Sequence, residues 1–138
     1  MMDLTERARE VFAADRYACE LTGIEITHVG EHETRCELTL DQRHRNARGV
    51  AMGGVLFTLA DFCAAVAANS SLIIHHLSLN WVSLDATIHY LSPATSDRLT
   101  ACCTALKTGR NTALYQTVIE SPDNGKRVAI VETTMIKL

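Results

Sequence analysis

The run GGVLFTLADFCAAVAAN, Gly53 to Asn69, constrains this chain more than any other stretch. Its many alanines favour helix over strand. Val55, Leu56, Phe57, Leu59, Ala60, Phe62, Cys63 and Val66 surround the whole circumference of such a helix. A helix that is apolar all round must be covered on most sides by something else. The 138 residues suffice for one core and not for two, so a single domain over 1–138 has to supply that cover.

The flanking segments are strands. Ile24 to Val29 and Thr34 to Leu40 read as two strands joined at GEHE, with Cys36, Leu38 and Leu40 on one face. In WVSLDATIHYLSP, Val82, Leu84, Ala86, Ile88 and Tyr90 alternate with Ser83, Asp85, Thr87 and His89, the period of a half-buried strand. DRLTACCTALK and TALYQTVIE are two more, joined at KTGRN. The Asn-Gly signal in SPDNGKR precedes a last strand, Val128 to Ile136. Short connections predict that successive strands are antiparallel neighbours in a meander. Asp3 or Thr5 can cap a short N-terminal helix reaching about Asp15, with Leu4, Ala8, Val11 and Phe12 as its apolar stripe. The expected class is α+β: an antiparallel sheet of five to six strands wrapped around one long helix.

Composition narrows the function. A net charge of −3 with 47% apolar residues is that of a soluble globular protein. It lacks the basic surplus or charged tail that a nucleic-acid partner calls for. The N-terminal MMDLTERAREVFAADR is charged from its third residue, which is not the pattern of a signal peptide. The apolar stretch Gly49 to Ala68 approaches membrane-span length, but Asp61 at mid-depth and the glycine pair argue against insertion. No membrane partner is expected. Cys19, Cys36, Cys63, Cys102 and Cys103 are odd in number and form no CxxC pair. Free thiols in a reducing cytoplasm fit better than disulfides or a zinc site. His75 and His76 lack ligand spacing, so no metal is expected.

Asp61 is the one charge inside the apolar helix. A carboxylate in an apolar shell is costly, so it is paired, neutralised or functional. No Lys or Arg lies between Arg48 and Arg98, and Thr58 is the nearest polar neighbour on the helix. Two readings are open: Asp61 is a reacting group, or it lies at a subunit interface and bonds a partner backbone. The glycines also have two readings. Gly53 and Gly54 either let the loop turn tightly into the helix or let a ligand approach the helix N-terminus, with its unpaired N–H groups and positive dipole end. One such donor contributes about 3 kcal/mol toward stabilising an oxyanion.

The segment HRNARGVAMGGVLFTLAD, His44 to Asp61, resembles the motif of the PaaI-like acyl-CoA thioesterases, which have the hotdog fold. In that motif an Asn, a Gly, a His-Gly-Gly triplet and an acidic residue eight positions beyond the first Gly of the pair recur. Here these are Asn46, Gly49, Gly53-Gly54 and Asp61; Met52 stands where the pattern has histidine. IHYLSPA and TGRNTALYQTVIE are similar to later strands of the family. The resemblance implies hydrolysis of an acyl-CoA thioester without a cofactor. It makes Asp61 nucleophile or general base and Gly53 oxyanion donor, and places Asn46 and Gly54 at the site border. Gly109, Arg110 and Asn111 would contact pantetheine and phosphate. It also implies a homodimer or a tetramer of two dimers. A hydratase would want a histidine where Met52 stands; a non-catalytic acyl-thioester binder is the alternative.

Geometry adds a demand of its own. Gly53 and Asp61 are eight residues apart, about 12 Å along one helix, whereas reacting groups must come within about 3–3.5 Å. One helix cannot present both to one thioester. Two antiparallel copies about a twofold axis can, each giving its Gly53 end to the other's Asp61.

Overall fold

The structure is a computed structural model, and it describes residues 2–138. Helix α1, Leu4–Phe12, is capped by the Asp3 side chain, which accepts the Glu6 N–H at 2.8 Å. It buries Ala8 and Phe12, and the Phe12 ring meets Phe62 edge-on with centroids 5.7 Å apart. The helix ends at Phe12, short of Asp15, because the chain turns there into a π-helical segment, Tyr17–Thr22. Strands β1, Glu25–Gly30, and β2, Glu33–Thr39, follow. The long helix α2 spans Gly53–Ala68, and α3, Ser70–Ile74, follows at once. The chain then forms β3, Trp81–Tyr90, β4, Arg98–Thr108, β5, Thr112–Ser121, and β6, Lys126–Lys137.

All six strands join one antiparallel sheet in the order β1-β2-β4-β5-β6-β3. This is the expected hotdog architecture, a sheet wrapped around α2. Leu59, Cys63 and Val66 of α2 have no exposed surface, and Leu99, Ile119 and Met135 of the sheet pack with them in one core. At 16 residues α2 is about 24 Å long. Among the described residues no helix is long and apolar enough to cross a membrane.

Two expectations need correction. First, β3 does not neighbour β4: it pairs with β6 at the far edge, and β4 takes the place beside β2. The connection 91–97 makes this possible. Seven residues reach about 24 Å when extended, more than the roughly 14 Å of three strand spacings. Second, the alternation along β3 slips. A bulge between Ser83 and Asp85 inserts one residue, so Trp81 and Ser83 share the core-facing side with Ala86 and Ile88, while Val82 and Leu84 are 40% and 57% exposed. Helix α2 is covered on most sides, as expected, and one stripe stays open. Gly54, Phe57 and Asp61 are exposed, with Thr58 and Ala65 half-buried beside them. This stripe borders β3, one of the two edge strands of the sheet, whose outer edge pairs with no other strand among the described residues.

Candidate active site

Asp61 sits on the exposed stripe of α2, and its carboxylate is anchored. Ser83 Oγ donates to Asp61 Oδ1 at 3.0 Å. The bulge turns Ser83 toward the helix; without it, strict alternation would have pointed this hydroxyl away. Asp61 Oδ2 makes no hydrogen bond with the described residues, so one carboxylate oxygen is oriented and the other is free to act. Thr58 takes no part, because its hydroxyl donates to Gly54 O at 2.9 Å. Asn69 fixes the helix against β3 nearby. Its side chain donates to Trp81 O at 3.1 Å and accepts from the backbone N–H groups of Asn80 and Trp81.

Gly53 and Gly54 begin α2. No side chain caps the helix, and Met52, at the cap position, is 48% exposed. The first N–H groups therefore have no intrahelical acceptor. The Tyr90 hydroxyl donates to Gly53 O at 3.3 Å, and a Cβ at Gly53 would lie 3.0 Å from that hydroxyl. Gly53 thus has a steric reason to be glycine. Gly54 has none: a Cβ there would meet nothing within 4 Å. Glycine in a helix costs up to about 1 kcal/mol relative to alanine, so open space over Gly54 suits an approach from outside the chain. Beside this end lies a pocket of about 480 Å³ lined by Val50, Ala51, Gly53, Tyr90 and Pro93.

Asn46 shapes the loop before the helix. Its Oδ1 accepts from the N–H groups of Arg48 and Val50, at 2.9 and 3.3 Å, and its NH2 makes no hydrogen bond with the described residues. His44 is a structural group. It is 3% exposed and holds the loop through the Asp41 N–H at 3.0 Å and Thr22 O at 2.7 Å.

The candidates fall into two groups, one by each end of β3. Asp61 and Ser83 lie by the start of β3, and Gly53, Gly54 and Asn46 lie by its end at Tyr90, with Gly53 and Asp61 about 12 Å apart along α2. The turn carrying Gly109, Arg110 and Asn111 belongs to the Asp61 end: Thr112 and Val82 both pair with Ile136. Those three residues are exposed. Gly109 is required by the turn itself, because a Cβ there would stand 2.7 Å from Thr112 O.

The sequence concealed two members of the Asp61 group. Ser83 falls on the solvent side of the simple alternation, and only the bulge brings it to Asp61. Asp15 joins Asp61 in lining a pocket of about 330 Å³. Burial, and then the nearby Asp61 charge, push the Asp15 carboxyl above the usual carboxylate range. No periodicity marks Asp15, which lies 46 residues away in the chain. Cys63 is fully buried with Cys36 and Cys103, and burial pushes its thiol up, away from nucleophilic chemistry. Among the described residues no three His, Cys, Asp or Glu side chains converge as a metal site.

The profile of the thioesterase superfamily matches residues 48–128. Human acyl-coenzyme A thioesterase 13 is 28% identical over 134 residues, covering 94% of this chain and 93% of that protein. Among solved structures, a mutant of the phenylacetic acid degradation protein PaaI of Thermus thermophilus superposes with a TM-score of 0.77 at 27% identity, over 87% of this chain and 97% of the other. A hypothetical thioesterase of Streptococcus pneumoniae, solved with coenzyme A, superposes with a TM-score of 0.76 at 25% identity, over 94% and 96% of the two chains.

Proposed function

This chain belongs to the thioesterase superfamily as a PaaI-like hotdog protein, and on that premise we propose that it hydrolyses an acyl-CoA thioester at a site shared by two subunits. One observation carries the reading. Along one exposed stripe of α2 stand an uncapped glycine N-terminus and, two turns on, a carboxylate held by Ser83 with one oxygen free. The first suits a developing oxyanion; the second suits attack on the carbonyl or activation of water. They are too far apart to act together within one chain. The open edge of β3 and the exposed Phe57, Val82, Leu84 and Tyr90 beside it give a second copy a place to pair, strand to strand and helix to antiparallel helix. Each Asp61 then faces the partner's Gly53 and Gly54.

In this arrangement Gly53 N–H polarises the thioester carbonyl, with Gly54 and Asn46 at the border. Asp61 either attacks the carbon, expelling CoA thiolate, which solvent protonates, and leaving a mixed anhydride that water then hydrolyses, or takes a proton from the attacking water and passes it to the departing CoA sulfur. The exposed Gly109, Arg110 and Asn111 meet the pantetheine and phosphate arm. Neither metal nor redox cofactor is required. The chain works as a homodimer or as a tetramer of two dimers, and five free cysteines suit a reducing cytoplasm. Thiol release from a panel of acyl-CoAs tests the reading: at least one member should turn over well above its spontaneous rate. Binding without thiol release would favour a non-catalytic acyl-thioester binder, the reading that Met52 in place of histidine keeps open.

Two further expectations follow here. Ser83→Ala frees Asp61 to rotate, and loss of one hydrogen bond worth about 1–1.5 kcal/mol should lower kcat roughly tenfold while KM moves less. Ser83→Thr should restore most of it. An equal loss in the threonine variant would mean that β3 packing, not the hydroxyl, is what matters. Met52→His changes an exposed side chain, so stability should shift by less than about 0.5 kcal/mol. Steady-state rates should rise if an imidazole at the helix start assists the reaction; an unchanged kcat would make it dispensable in this protein.

A further inference from the structure

The pocket beside Asp61 has a chemical bias. Tyr17, Phe57, Phe62 and Ala65 supply its apolar walls, and Asp15 and Asp61 are both carboxylates on it. Among the described residues no cation forms an ion pair with either of them. Arg16 also borders the pocket, but its guanidinium is bound to Glu20 through two hydrogen bonds of 2.7 and 3.1 Å. The Asp15 side chain makes no hydrogen bond or ion pair with the described residues; only its backbone is engaged, the N–H donating to Phe12 O and the carbonyl accepting from Cys19 N–H, each at 2.9 Å. Burial and the neighbouring Asp61 charge both act against a charged Asp15, which places it in the same field as the reacting carboxylate.

A thioester has two arms. The pantetheine arm is polar and ends in phosphates, which two uncompensated carboxylates repel. The apolar pocket therefore takes the acyl arm, and a group at that arm's end reaches the Asp15 wall. We propose that Asp15 is a specificity-determining residue that makes the acyl end of the site reject acyl groups bearing a terminal carboxylate and accept neutral ones. This rests on the reading of Asp61 as the acyl-thioester site. An anionic terminus there meets like charge with no counter-ion, and a few ångströms from one carboxylate at a partly solvated site this weakens binding roughly tenfold.

The test uses binding, so that hydrolysis is not needed. Titration calorimetry would measure two thioether analogues, hexyl-CoA and 5-carboxypentyl-CoA, against the wild-type chain, Asp15→Asn, Asp15→Glu and Asp15→Lys, each checked for folding by thermal melting. The wild type and Asp15→Glu should favour hexyl-CoA by tenfold or more. Asp15→Asn should narrow the ratio about tenfold, and Asp15→Lys should reverse it. A ratio that stays constant across folded variants, or a wild type that takes both analogues equally, overturns the proposal, as does failure to bind either. A chain that binds with these ratios yet releases no thiol from acyl-CoAs leaves Asp15 in its role and overturns hydrolysis alone.

Discussion

Asp61→Asn should lower kcat for every good acyl-CoA substrate by roughly 10³-fold, because a nucleophile or general base in this position contributes about 10²–10⁴-fold. The fold should survive. The amide is nearly isosteric, and its oxygen can still accept from Ser83 Oγ, as the carboxylate oxygen does at 3.0 Å. Melting temperature should therefore stay within a degree or two of wild type, while substrate binding is largely kept. The comparison of kcat with melting temperature separates the two roles open to Asp61. A reacting group loses rate without stability; a group that only bonds a partner subunit loses stability or dimer affinity first. Near-wild-type turnover of all substrates in the variant would remove Asp61 from the chemistry.

A mixed dimer should regain activity that neither parent has. One parent is Asp61→Asn. The other is Gly53→Pro, which deletes the oxyanion N–H and little else: proline is favoured at the first position of a helix, and Met52, with φ −62° and ψ 143°, already has the extended conformation that a residue before proline prefers. The exposed Tyr90 ring must give way slightly, since a Cβ at Gly53 lies 3.0–3.2 Å from it. In the mixed dimer one site receives Gly53 from the first chain and Asp61 from the second, and the other site carries both defects. Random pairing makes half the dimers mixed, with one live site in two, so co-expressed chains should recover about a quarter of wild-type activity. Differently tagged chains purified in tandem would isolate the mixed species. If verified heterodimers show no more activity than their parents, the site is not shared, and the 12 Å between Gly53 and Asp61 must be closed some other way.

The features legible in the chain alone were the local ones. The helix over Gly53 to Asn69 could be read because residues three and four apart decide a helix face, and the strands because alternate residues decide a strand face. The motif from Asn46 to Asp61 could be read because one loop and one helix hold it in order. The demand for a second subunit at the site comes from helix rise and a reaction distance alone. Other features depend on contacts between residues far apart in sequence. A seven-residue connection looks alike whether it closes a hairpin or crosses two strands, so the pairing of β3 with β6 is settled only when the sheet closes around α2. A bulge leaves no mark in the pattern, yet it reverses the face of Ser83 and gives Asp61 its hydroxyl. Asp61 was expected inside an apolar shell, because a helix apolar all round calls for cover, but whether that cover comes from the same chain is a tertiary matter. Here β3 stops at the edge, and the stripe holding Gly54, Phe57 and Asp61 stays open. Asp15 reaches the same pocket for the same kind of reason. The turn after α1 folds it against α2, and proximity of that sort is made by packing, which no spacing in the sequence records.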